Sequence, residues 1–342
     1  MRILLSEYLT GGGLWTEPVA SPTEHPLLPE GRAMVAAMAA DLSRIPDVEL
    51  FVTRDQRLPD STIPDGTQVV IAGTDDEREQ LTTWAMRVDG VLLIAPEYGR
   101  RLQERAEWIE RAGGRLLSPD AAFIELATHK TRTAEHLARS GIPVPRAMLL
   151  QADEYLPDEF PFPAVFKPED GVGCLETHLA SARHEVAGIR SQLSGICRVE
   201  AYCAGQAASV IGLCGPRRRA LLPPCYQHIS VNGHFQYLGG AYPLPRPLMY
   251  RACHLARRAF EALPATSGCV GLDLVLGDDP DGTQDVVIEV NPRLTTSYLG
   301  LRQATTGNLA AAMLAILQGG RSPLFFLPNA VEFETDGRTR AS

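Results

Sequence analysis

The chain has 342 residues, of which 45% are hydrophobic and 21% are charged, and its formal net charge is −9. This length predicts two or three domains, and the acidic balance without a basic run argues against a general nucleic-acid surface or an anionic membrane as partner. The seven cysteines form no CxxC pair, and neither a signal peptide nor an apolar run of 18 residues is visible. These features predict reduced thiols and a cytoplasmic location.

Strands and helices alternate over the first 115 residues. Apolar strands are predicted at residues 3–5, 48–53, 69–72 and 91–95, and helices at 31–45, 77–87 and 102–112. This order is typical of βαβ units, so a parallel sheet and a Rossmann-like domain are expected. Gly11-Gly12-Gly13 follows the first strand without GxGxxG spacing, and we interpret it as a flexible loop rather than a dinucleotide fingerprint.

The remaining two thirds mix helices with short strands. A helical pattern runs from 118 to 139, and further helices are expected at 182–193, at 248–263 and up to residue 317. Strands are predicted at 162–167, 198–202, 209–213 and, around an Asn-Gly turn, at 226–237. The polar tail from residue 332 is expected to be frayed.

Two side chains are unusual in the composition, because Lys130 and Lys167 are the only lysines beside 30 arginines. Lysine is a compact point charge on a flexible stem, whereas arginine is a rigid fork that needs more room. Lys130 opens a helix, and Lys167 ends an apolar strand that runs into the turn Gly171-Val172-Gly173. Both lysines are therefore predicted to reach into a cluster of phosphates.

Two carboxylates face each other in a predicted hairpin centred on the turn at 277–284. In that register Asp273 lies opposite Glu289, and Gly271 lies opposite Asn291. Because side chains alternate along a strand, the two carboxylates and the amide share one face. The other face is apolar and is formed by Leu272, Leu274, Leu276, Val286, Ile288 and Val290.

Opposed carboxylates repel each other, and a hard divalent cation such as Mg²⁺ or Mn²⁺ removes that penalty. Neutralising Asp273 or Glu289 is therefore expected to leave the metal-free protein at least as stable. Arg293 follows two residues after Asn291 and could hold a carboxylate or an acyl phosphate bidentately.

These residues together resemble the ATP-grasp superfamily, over roughly residues 115–320. The resemblance implies an α/β fold with an α+β ATP-binding part. A Rossmann-like domain would occupy residues 1–115, and two α+β subdomains, at 116–196 and 197–331, would clasp ATP. A flexible tail would follow at 332–342.

The resemblance also implies a role for each matching residue. The implied phosphate-binding residues are Lys130, Lys167, Gly171 and Gly173; Glu200, Tyr202 and Cys203 would meet adenine; Asp273, Glu289 and Asn291 would hold Mg²⁺ or Mn²⁺. The sequence departs from the family at Ala207, where many members carry a glutamate that holds the ribose hydroxyls.

The implied reaction is that of an ADP-forming carboxylate–amine ligase that uses ATP and an acyl phosphate, and that needs no Ser, Cys or His nucleophile. Lys167 and Arg293 would be catalytic, with Arg293 orienting the carboxylate or stabilising the tetrahedral intermediate. Ser297 and Tyr298 would line the acceptor pocket, although Tyr298 is equally compatible with core packing. Glu7 and Tyr8 would reach the substrate from the N-terminal domain.

Three stretches, at 5–13, 230–240 and 291–298, resemble the tyramine–glutamate ligase branch of methanofuran biosynthesis. They imply glutamate as the acid and tyramine or a related aromatic amine as the acceptor. Two alternatives stay open: another amino-acid or dipeptide ligase, and a nucleotide-binding protein without ligase activity, which Ala207 favours. A homodimer is the family-level expectation.

Overall fold

The alternating pattern of the first third forms a parallel sheet, as predicted. A computed structural model describes residues 1–17, 21–59, 63–73, 77–151, 154–171, 173–193, 195–321 and 323–341, without the side chain of Thr16. The N-terminal elements are β1 (Arg2–Glu7), α1 (Leu28–Leu42), β2 (Glu49–Asp55), β3 (Gln68–Ala72), α2 (Glu77–Ala85), β4 (Gly90–Ile94) and α3 (Arg101–Arg111). The strand order is β3-β2-β1-β4, and β4 is buried along its whole length, as is typical of a parallel sheet covered on both faces.

The glycine run after β1 is a tightly packed turn, which corrects the prediction of a flexible loop. A Cβ atom at Gly13 would lie 2.1 Å from the ring of Tyr8, and one at Gly11 would lie 2.3 Å from Thr53 Oγ1. Gly12 has a φ of 107°, a conformation that favours glycine. The three glycines are therefore explained by close packing.

The helical pattern at 118–139 forms two helices, α4 (Ala121–Thr128) and α5 (Lys130–Arg139), with His129 in an extended conformation between them. No Gly or Pro marks this break. Glu169 stabilises it from a distant strand end, because its carboxylate accepts hydrogen bonds from Thr131 N at 2.9 Å and from Thr131 Oγ1 at 2.8 Å. A side chain 38 residues away thus satisfies the first turn of α5.

A four-stranded antiparallel sheet forms the central part. It contains β5 (Ala147–Leu150), β6 (Ala164–Pro168), β7 (His178–Ala180) and β8 (Cys197–Ala201), in the order β5-β8-β6-β7. The helix predicted at 182–193 is shorter, since only α6 (Val186–Arg190) is α-helical, after one 3₁₀ turn. Because β8 lies between β5 and β6, this sheet extends past the predicted boundary at residue 196.

The last part is built on a large antiparallel sheet. Its elements are β9 (Gln206–Cys214), β10 (Arg219–Leu221), β11 (Cys225–Val231), β12 (Phe235–Tyr242), α7 (Arg246–Ala262), β13 (Gly268–Leu276), β14 (Val286–Asn291), α8 (Ser297–Leu301), α9 (Leu309–Leu317), β15 (Val331–Glu334) and β16 (Thr339–Ala341). The strand order is β14-β13-β9-β11-β12-β15-β16, and β10 pairs with β9.

The C-terminal tail belongs to this sheet, so the prediction of a flexible segment at 332–342 is wrong. β15 pairs with β12, and β16 pairs with β15. Val331 and Phe333 are only 1% and 2% exposed. The tail is polar on one face because strand residues alternate, and the buried face carries the apolar residues.

Shared cores join the three parts of the molecule. The helices α4 and α5 contribute Phe123 and Leu137 to one apolar cluster with Val287 and Val290 of β14. On the other side, α1 packs against α8 and α9. Among the residues that the structure describes, no helix is both long and apolar enough to cross a membrane.

Candidate active site

One cavity lies between the central sheet, the large sheet and the start of α1. Most of the predicted site residues line it: Lys130, Lys167, Gly171, Gly173, Glu200, Tyr202, Cys203, Asp273, Glu289, Asn291, Arg293 and Ser297. Lys130 comes from α5, Lys167 from β6, and the two carboxylates from β13 and β14. Residues separated by more than 150 positions in the sequence thus meet at one place.

The carboxylate hairpin has the predicted register at its functional end. Asp273 pairs with Glu289, and Gly271 pairs with Asn291. The Asp273 carboxylate accepts hydrogen bonds from Gln227 Nε2 at 2.9 Å and from Asn291 Nδ2 at 3.0 Å. Burial and the negative charge of Glu289 nevertheless raise the pKa of Asp273 to about 7. This carboxylate lacks sufficient positive charge around it.

A bulge between Asp273 and Leu274 shifts the register toward the turn, and this corrects the predicted apolar face. Val287 joins the buried core beside Val290. Ile288, which was predicted to face the core, instead lines the cavity beside Glu289. The hairpin rule fails here because one extra residue inverts the direction of the side chains that follow.

Lys130 lies directly against the carboxylate hairpin. Its Nζ is 2.9 Å from Glu289 Oε1, and it also donates a hydrogen bond to the carbonyl oxygen of Gly171. Burial opposes the lysine charge, but the carboxylate of Glu289 outweighs that effect and raises the pKa of Lys130. Lys130 is therefore a buried cation that connects the first turn of α5 to Gly171 and to the carboxylate hairpin.

Lys167 and Arg198 occupy directly opposite positions on β6 and β8. Glu200 compensates the charge of both cations, since its carboxylate lies 2.8 Å from Lys167 Nζ and 2.6 Å from Arg198 Nε. Burial opposes ionisation of Glu200, and the two cations outweigh it and lower its pKa. Glu200 lines the cavity, but in this structure its carboxylate is paired with cations and not free for adenine.

The glycine turn lies against the N-terminal domain. Val172 falls outside the described residues, whereas Gly171 and Gly173 line the cavity, and Gly173 has a φ of 60°. Asp170 accepts a hydrogen bond from the backbone of Gly99 at 3.0 Å. A Cβ atom at Gly173 would lie 3.8 Å from Leu27, just before α1. Gly173 thus lies at the cavity wall near the residue that precedes α1.

The predicted adenine hinge follows β8. Tyr202 and Cys203 line the cavity, and Tyr202 donates its backbone N–H to the Pro163 carbonyl oxygen at 3.0 Å. Ala207 also lines the cavity, at the position where the family glutamate would stand. Burial raises the pKa of the Cys203 thiol, so it is neutral at physiological pH.

Arg293 lines the cavity, but its guanidinium is already paired. Its Nε lies 3.0 Å from Glu97 Oε1 and 3.1 Å from Glu97 Oε2, and its Nη1 donates to the Leu294 carbonyl oxygen. Both side chains of this ion pair are almost fully buried. The prediction of a bidentate grip on a substrate carboxylate therefore needs correction, because Glu97 takes that position.

Three predicted substrate residues lie elsewhere. Tyr298 is fully buried and donates its hydroxyl to Asp41 at 2.6 Å, so it packs between α8 and α1 and does not line the acceptor pocket. Tyr8 is buried, donates to Glu17 and receives the guanidinium of Arg105 on its ring face. Tyr8 is not one of the described residues that line the cavity.

Glu7 lies in a smaller adjoining cavity, which Arg293 also lines. The Glu7 carboxylate accepts hydrogen bonds from the backbone of Leu9 at 3.1 Å and of Thr10 at 2.7 Å. It therefore shapes the turn after β1 and lies one layer behind the main cavity. Burial raises its pKa despite these bonds.

Several cavity residues were not predicted from the sequence, notably Glu30, Gln227 and Tyr237. Thr296 Oγ1 donates to the Tyr237 hydroxyl oxygen at 2.9 Å. The only sequence signal for this pair was that Tyr237 and Thr296 belong to the stretches at 230–240 and 291–298. No comparable signal marked Glu30, which reaches the cavity only because α1 packs over it.

A divalent cation fits the donor set of the hairpin. The Asp273 and Glu289 carboxylates oppose each other in the sheet, and burial together with the charge of Glu289 raises the pKa of Asp273. The described residues contain no group of three or more His, Cys, Asp or Glu that could hold a metal. A metal would therefore use the two carboxylates and the amide oxygen of Asn291, together with ligand oxygens, as Mg²⁺ sites commonly do.

Comparisons with known proteins agree with this arrangement. An ATP-grasp domain matches residues 127–297, and a pre ATP-grasp 3 domain matches residues 48–124. The sequence matches no curated protein.

The solved structures with similar folds share little sequence with this chain. An ATP-grasp superfamily protein from Archaeoglobus fulgidus has 20% identity and a TM-score of 0.70, over 97% of this chain and 92% of that one. The ADP complex of N5-carboxyaminoimidazole synthetase from Staphylococcus aureus has 13% identity and a TM-score of 0.72, over 97% and 82%. The L-amino acid ligase from Bacillus licheniformis has 16% identity and a TM-score of 0.65, over 97% and 79%.

The fold class predicted from the sequence is thereby confirmed, and the predicted enzyme class, an ATP-dependent ligase that forms C–N bonds, is the class of the matched domain. The domain match covers half of the chain and includes both lysines, the glycine turn and the carboxylate hairpin, and this chain therefore belongs to the ATP-grasp family.

Proposed function

We propose that this protein joins a carboxylate to an amine, with ATP cleaved to ADP and an acyl phosphate as the intermediate. The observation that carries the proposal is the meeting of Lys130 and Lys167 with the opposed carboxylates of Asp273 and Glu289 in one cavity. Such a site combines point cations for phosphate oxygens with hard ligands for a divalent cation. Mg²⁺ or Mn²⁺ at the hairpin would neutralise charge on the β- and γ-phosphates.

The buried ion pairs indicate how ATP would be accommodated. Lys130 is held by Glu289 and by the Gly171 carbonyl, and Lys167 is held by Glu200. Phosphate oxygens would compete for both lysines, and Lys130 would turn from Glu289 toward the triphosphate. Glu289 would then be free as a ligand. The charges of the two lysines are thus compensated before ATP arrives, which limits the cost of an empty site.

The reaction itself needs orientation and exclusion of water. The substrate carboxylate attacks the γ-phosphorus, and the bond to ADP breaks. The neutral form of the amine then attacks the acyl carbon, the bond to phosphate breaks, and the proton lost by the amine passes to the departing phosphate. Lys167 and Lys130 stabilise charge on the transferred phosphoryl group. Asp170 accepts a hydrogen bond from Gly99, and Gly173 lies near Leu27, so Gly171 and Gly173 at the cavity wall would help to shield the acyl phosphate from water.

For the substrates we propose glutamate and tyramine or a related aromatic amine. The support is the resemblance of three stretches to the tyramine–glutamate ligase branch, together with the meeting of two of them in the cavity. Tyr237 and Thr296 belong to different stretches and share a hydrogen bond of 2.9 Å. Ser297, in the same stretch as Thr296, lies 2.6 Å from Ser209, oxygen to oxygen, at the cavity wall.

The test is ADP release by the purified protein with Mg·ATP or Mn·ATP and glutamate alone, tyramine alone or both. ADP that forms only with both, with a product mass equal to their sum less water, is expected. Release with a different acid and amine would retain the ligase and replace the substrates. Tight ATP binding without ADP release for any pair would favour the non-catalytic alternative, which the cavity position of Ala207 supports.

A further inference from the structure

Glu30 is a cavity residue that neither the nucleotide site nor the metal site uses. It lies in the first turn of α1 and lines both the main cavity and the smaller cavity behind it. Within the described residues its carboxylate has no hydrogen-bond donor, and the charges that act on it come from Arg293 and Glu97. A partly buried carboxylate without a partner is costly and is therefore a candidate ligand site.

The negative charge around Glu30 exceeds the positive charge. Arg293 is the cation that acts on Glu30, and its single Nε–H is already shared between the two carboxylate oxygens of Glu97. Burial and Glu97 together outweigh the attraction of Arg293 and raise the pKa of Glu30. Three carboxylates, those of Glu7, Glu30 and Glu97, thus lie around one guanidinium, and the negative charge is in excess.

The corner also provides a neutral hydroxyl beside this carboxylate. Tyr237 accepts a hydrogen bond from Thr296 and keeps its own proton available as a donor. Burial and the negative charge of Glu30 raise the pKa of the Tyr237 phenol, which places the two groups within electrostatic reach of each other. A ligand in this corner would meet one anion and hydroxyl groups.

Glu30 shares the main cavity with the groups proposed to bind the phosphates. Lys167, Gly171, Gly173 and the carboxylate hairpin line the same cavity. A Cβ atom at Gly173 would lie 3.8 Å from Leu27, three residues before Glu30. A group bound to Glu30 would therefore lie in the same cavity as the phosphates.

We propose that Glu30 binds the ammonium group of the amine substrate and so makes the ligase selective for cationic primary amines, an inference that rests on the proposed function. A carboxylate that is poor in cations attracts an ammonium group, and discrimination follows because a neutral analogue leaves the carboxylate unpaired. The carboxylate groups of the acid substrate are repelled by Glu30, which favours their binding toward the lysines.

The experiment compares Glu30→Gln with Glu104→Gln. Glu104 is a matched control, because it is a partly buried glutamate in the first turn of α3 and is absent from the lining of the main cavity. Binding of tyramine and of its neutral analogue tyrosol is measured by calorimetry in the presence of a non-hydrolysable ATP analogue. The Glu30→Gln variant is expected to bind tyramine about tenfold more weakly and tyrosol less than about threefold more weakly, with neither change in Glu104→Gln.

The inference would be overturned by a wild-type protein that does not prefer tyramine to tyrosol, or by equal losses for both ligands in Glu30→Gln. A kinetic arm separates this outcome from failure of the ligase function. Hydroxylamine, which is neutral at pH 7, traps an acyl phosphate as a hydroxamate, and the ratio of kcat/KM for tyramine to that for hydroxylamine should fall about tenfold in Glu30→Gln. If the wild type formed neither ADP nor hydroxamate but still bound tyramine in preference to tyrosol, the proposed ligase function would be contradicted and the proposed amine site would be retained.

Discussion

Lys167 Nζ lies 2.8 Å from Glu200 Oε2, and the two side chains are only 7% and 4% exposed. They are diagonal neighbours on β6 and β8, because Lys167 faces Arg198 and Glu200 faces Val165 in the sheet. Two cations directly opposite each other would destabilise the strand pair, and Glu200 compensates both. Lys167 is therefore held in a buried position at the cavity wall by its contact with Glu200.

Replacing Lys167 by arginine keeps the charge and should still impair the enzyme. The guanidinium fork is broader than an ammonium group, and it would have to fit beside Arg198 in the same buried pocket. We expect turnover in the ADP-release assay to fall by at least about tenfold. The control is Arg321→Lys, which makes the reverse exchange of arginine for lysine at an exposed position. Near-normal turnover of Lys167→Arg would contradict the role proposed for the lysine.

Asp273→Asn should stabilise the metal-free protein at neutral and higher pH. The folded-state pKa of Asp273 is about 7 and its ordinary value is 3.8, so folding favours the protonated acid. The stability cost of the carboxylate is absent below pH 4, grows as the pH rises, and is complete above pH 7. In chelator at pH 8 we expect the free energy of unfolding to rise by about 1–2 kcal/mol, with no gain at pH 4.

Glu289→Gln should have the opposite effect, which revises the expectation drawn from the sequence. Glu289 compensates the buried Lys130 at 2.9 Å, so its neutralisation leaves an unpaired buried cation. We expect a loss of about 1–3 kcal/mol in urea unfolding of the metal-free protein. Equal gains in stability for both variants would show that repulsion between the carboxylates outweighs the contact with Lys130.

Tyr298→Phe should affect stability rather than catalysis. The hydroxyl donates to Asp41, which also accepts from Arg302 at 2.7 Å, and this network joins α1 to α8. Loss of the donor should cost about 1–2 kcal/mol in chemical unfolding, while KM values for ATP and amine stay within about twofold. Tyr250→Phe on the exposed face of α7 is the control, and a selective rise in the amine KM of Tyr298→Phe would restore the acceptor-pocket role.

Phe333→Ala should reveal that the C-terminal residues are structural. The ring is buried, and a Cβ atom added at Gly240 or Gly300 would lie within 2.6 Å of it. Replacing the ring by a methyl group should lower the free energy of unfolding by about 3–4 kcal/mol, because the two neighbouring glycines have no side chains that could fill the cavity. The control Glu332→Ala, at the exposed neighbouring position, should change the free energy of unfolding by no more than about 0.5 kcal/mol in the same thermal or urea experiment. If Phe333→Ala did not change the free energy of unfolding, the C-terminal segment would be frayed, as the sequence predicted.

Local pattern was sufficient for much of this molecule. The alternation of strands and helices predicted the parallel sheet, and the symmetry of the hairpin predicted that Asp273 faces Glu289. Both results depend on short-range rules of periodicity and turn chemistry. The same rules failed at Ile288, because a bulge has no sequence signature in that run and reverses the side chains beyond it.

Features set by distant contacts could not be predicted in this way. The break at His129 depends on Glu169, and the position of Tyr298 depends on Asp41 of α1. The pairing of Arg293 with Glu97 joins residues 196 positions apart. Each contact is set by the packing of whole elements, and the free energy of that packing is spread over many apolar side chains.

The sequence by itself determined which residue types this site uses: two lysines kept among many arginines, two carboxylates on one hairpin face, and a glycine turn after an apolar strand. The chemistry of these residues depends on their identity and on their spacing along the chain, both of which can be read from the sequence. Only the tertiary structure decided which charges are already paired and which are not. Glu30 and Glu97 are both glutamates of the N-terminal domain, yet Arg293 binds Glu97, whereas Glu30 lines the cavity with no hydrogen-bond donor among the described residues. The packing of whole elements, such as α1 against α8 and α9, places the two carboxylates differently around one guanidinium.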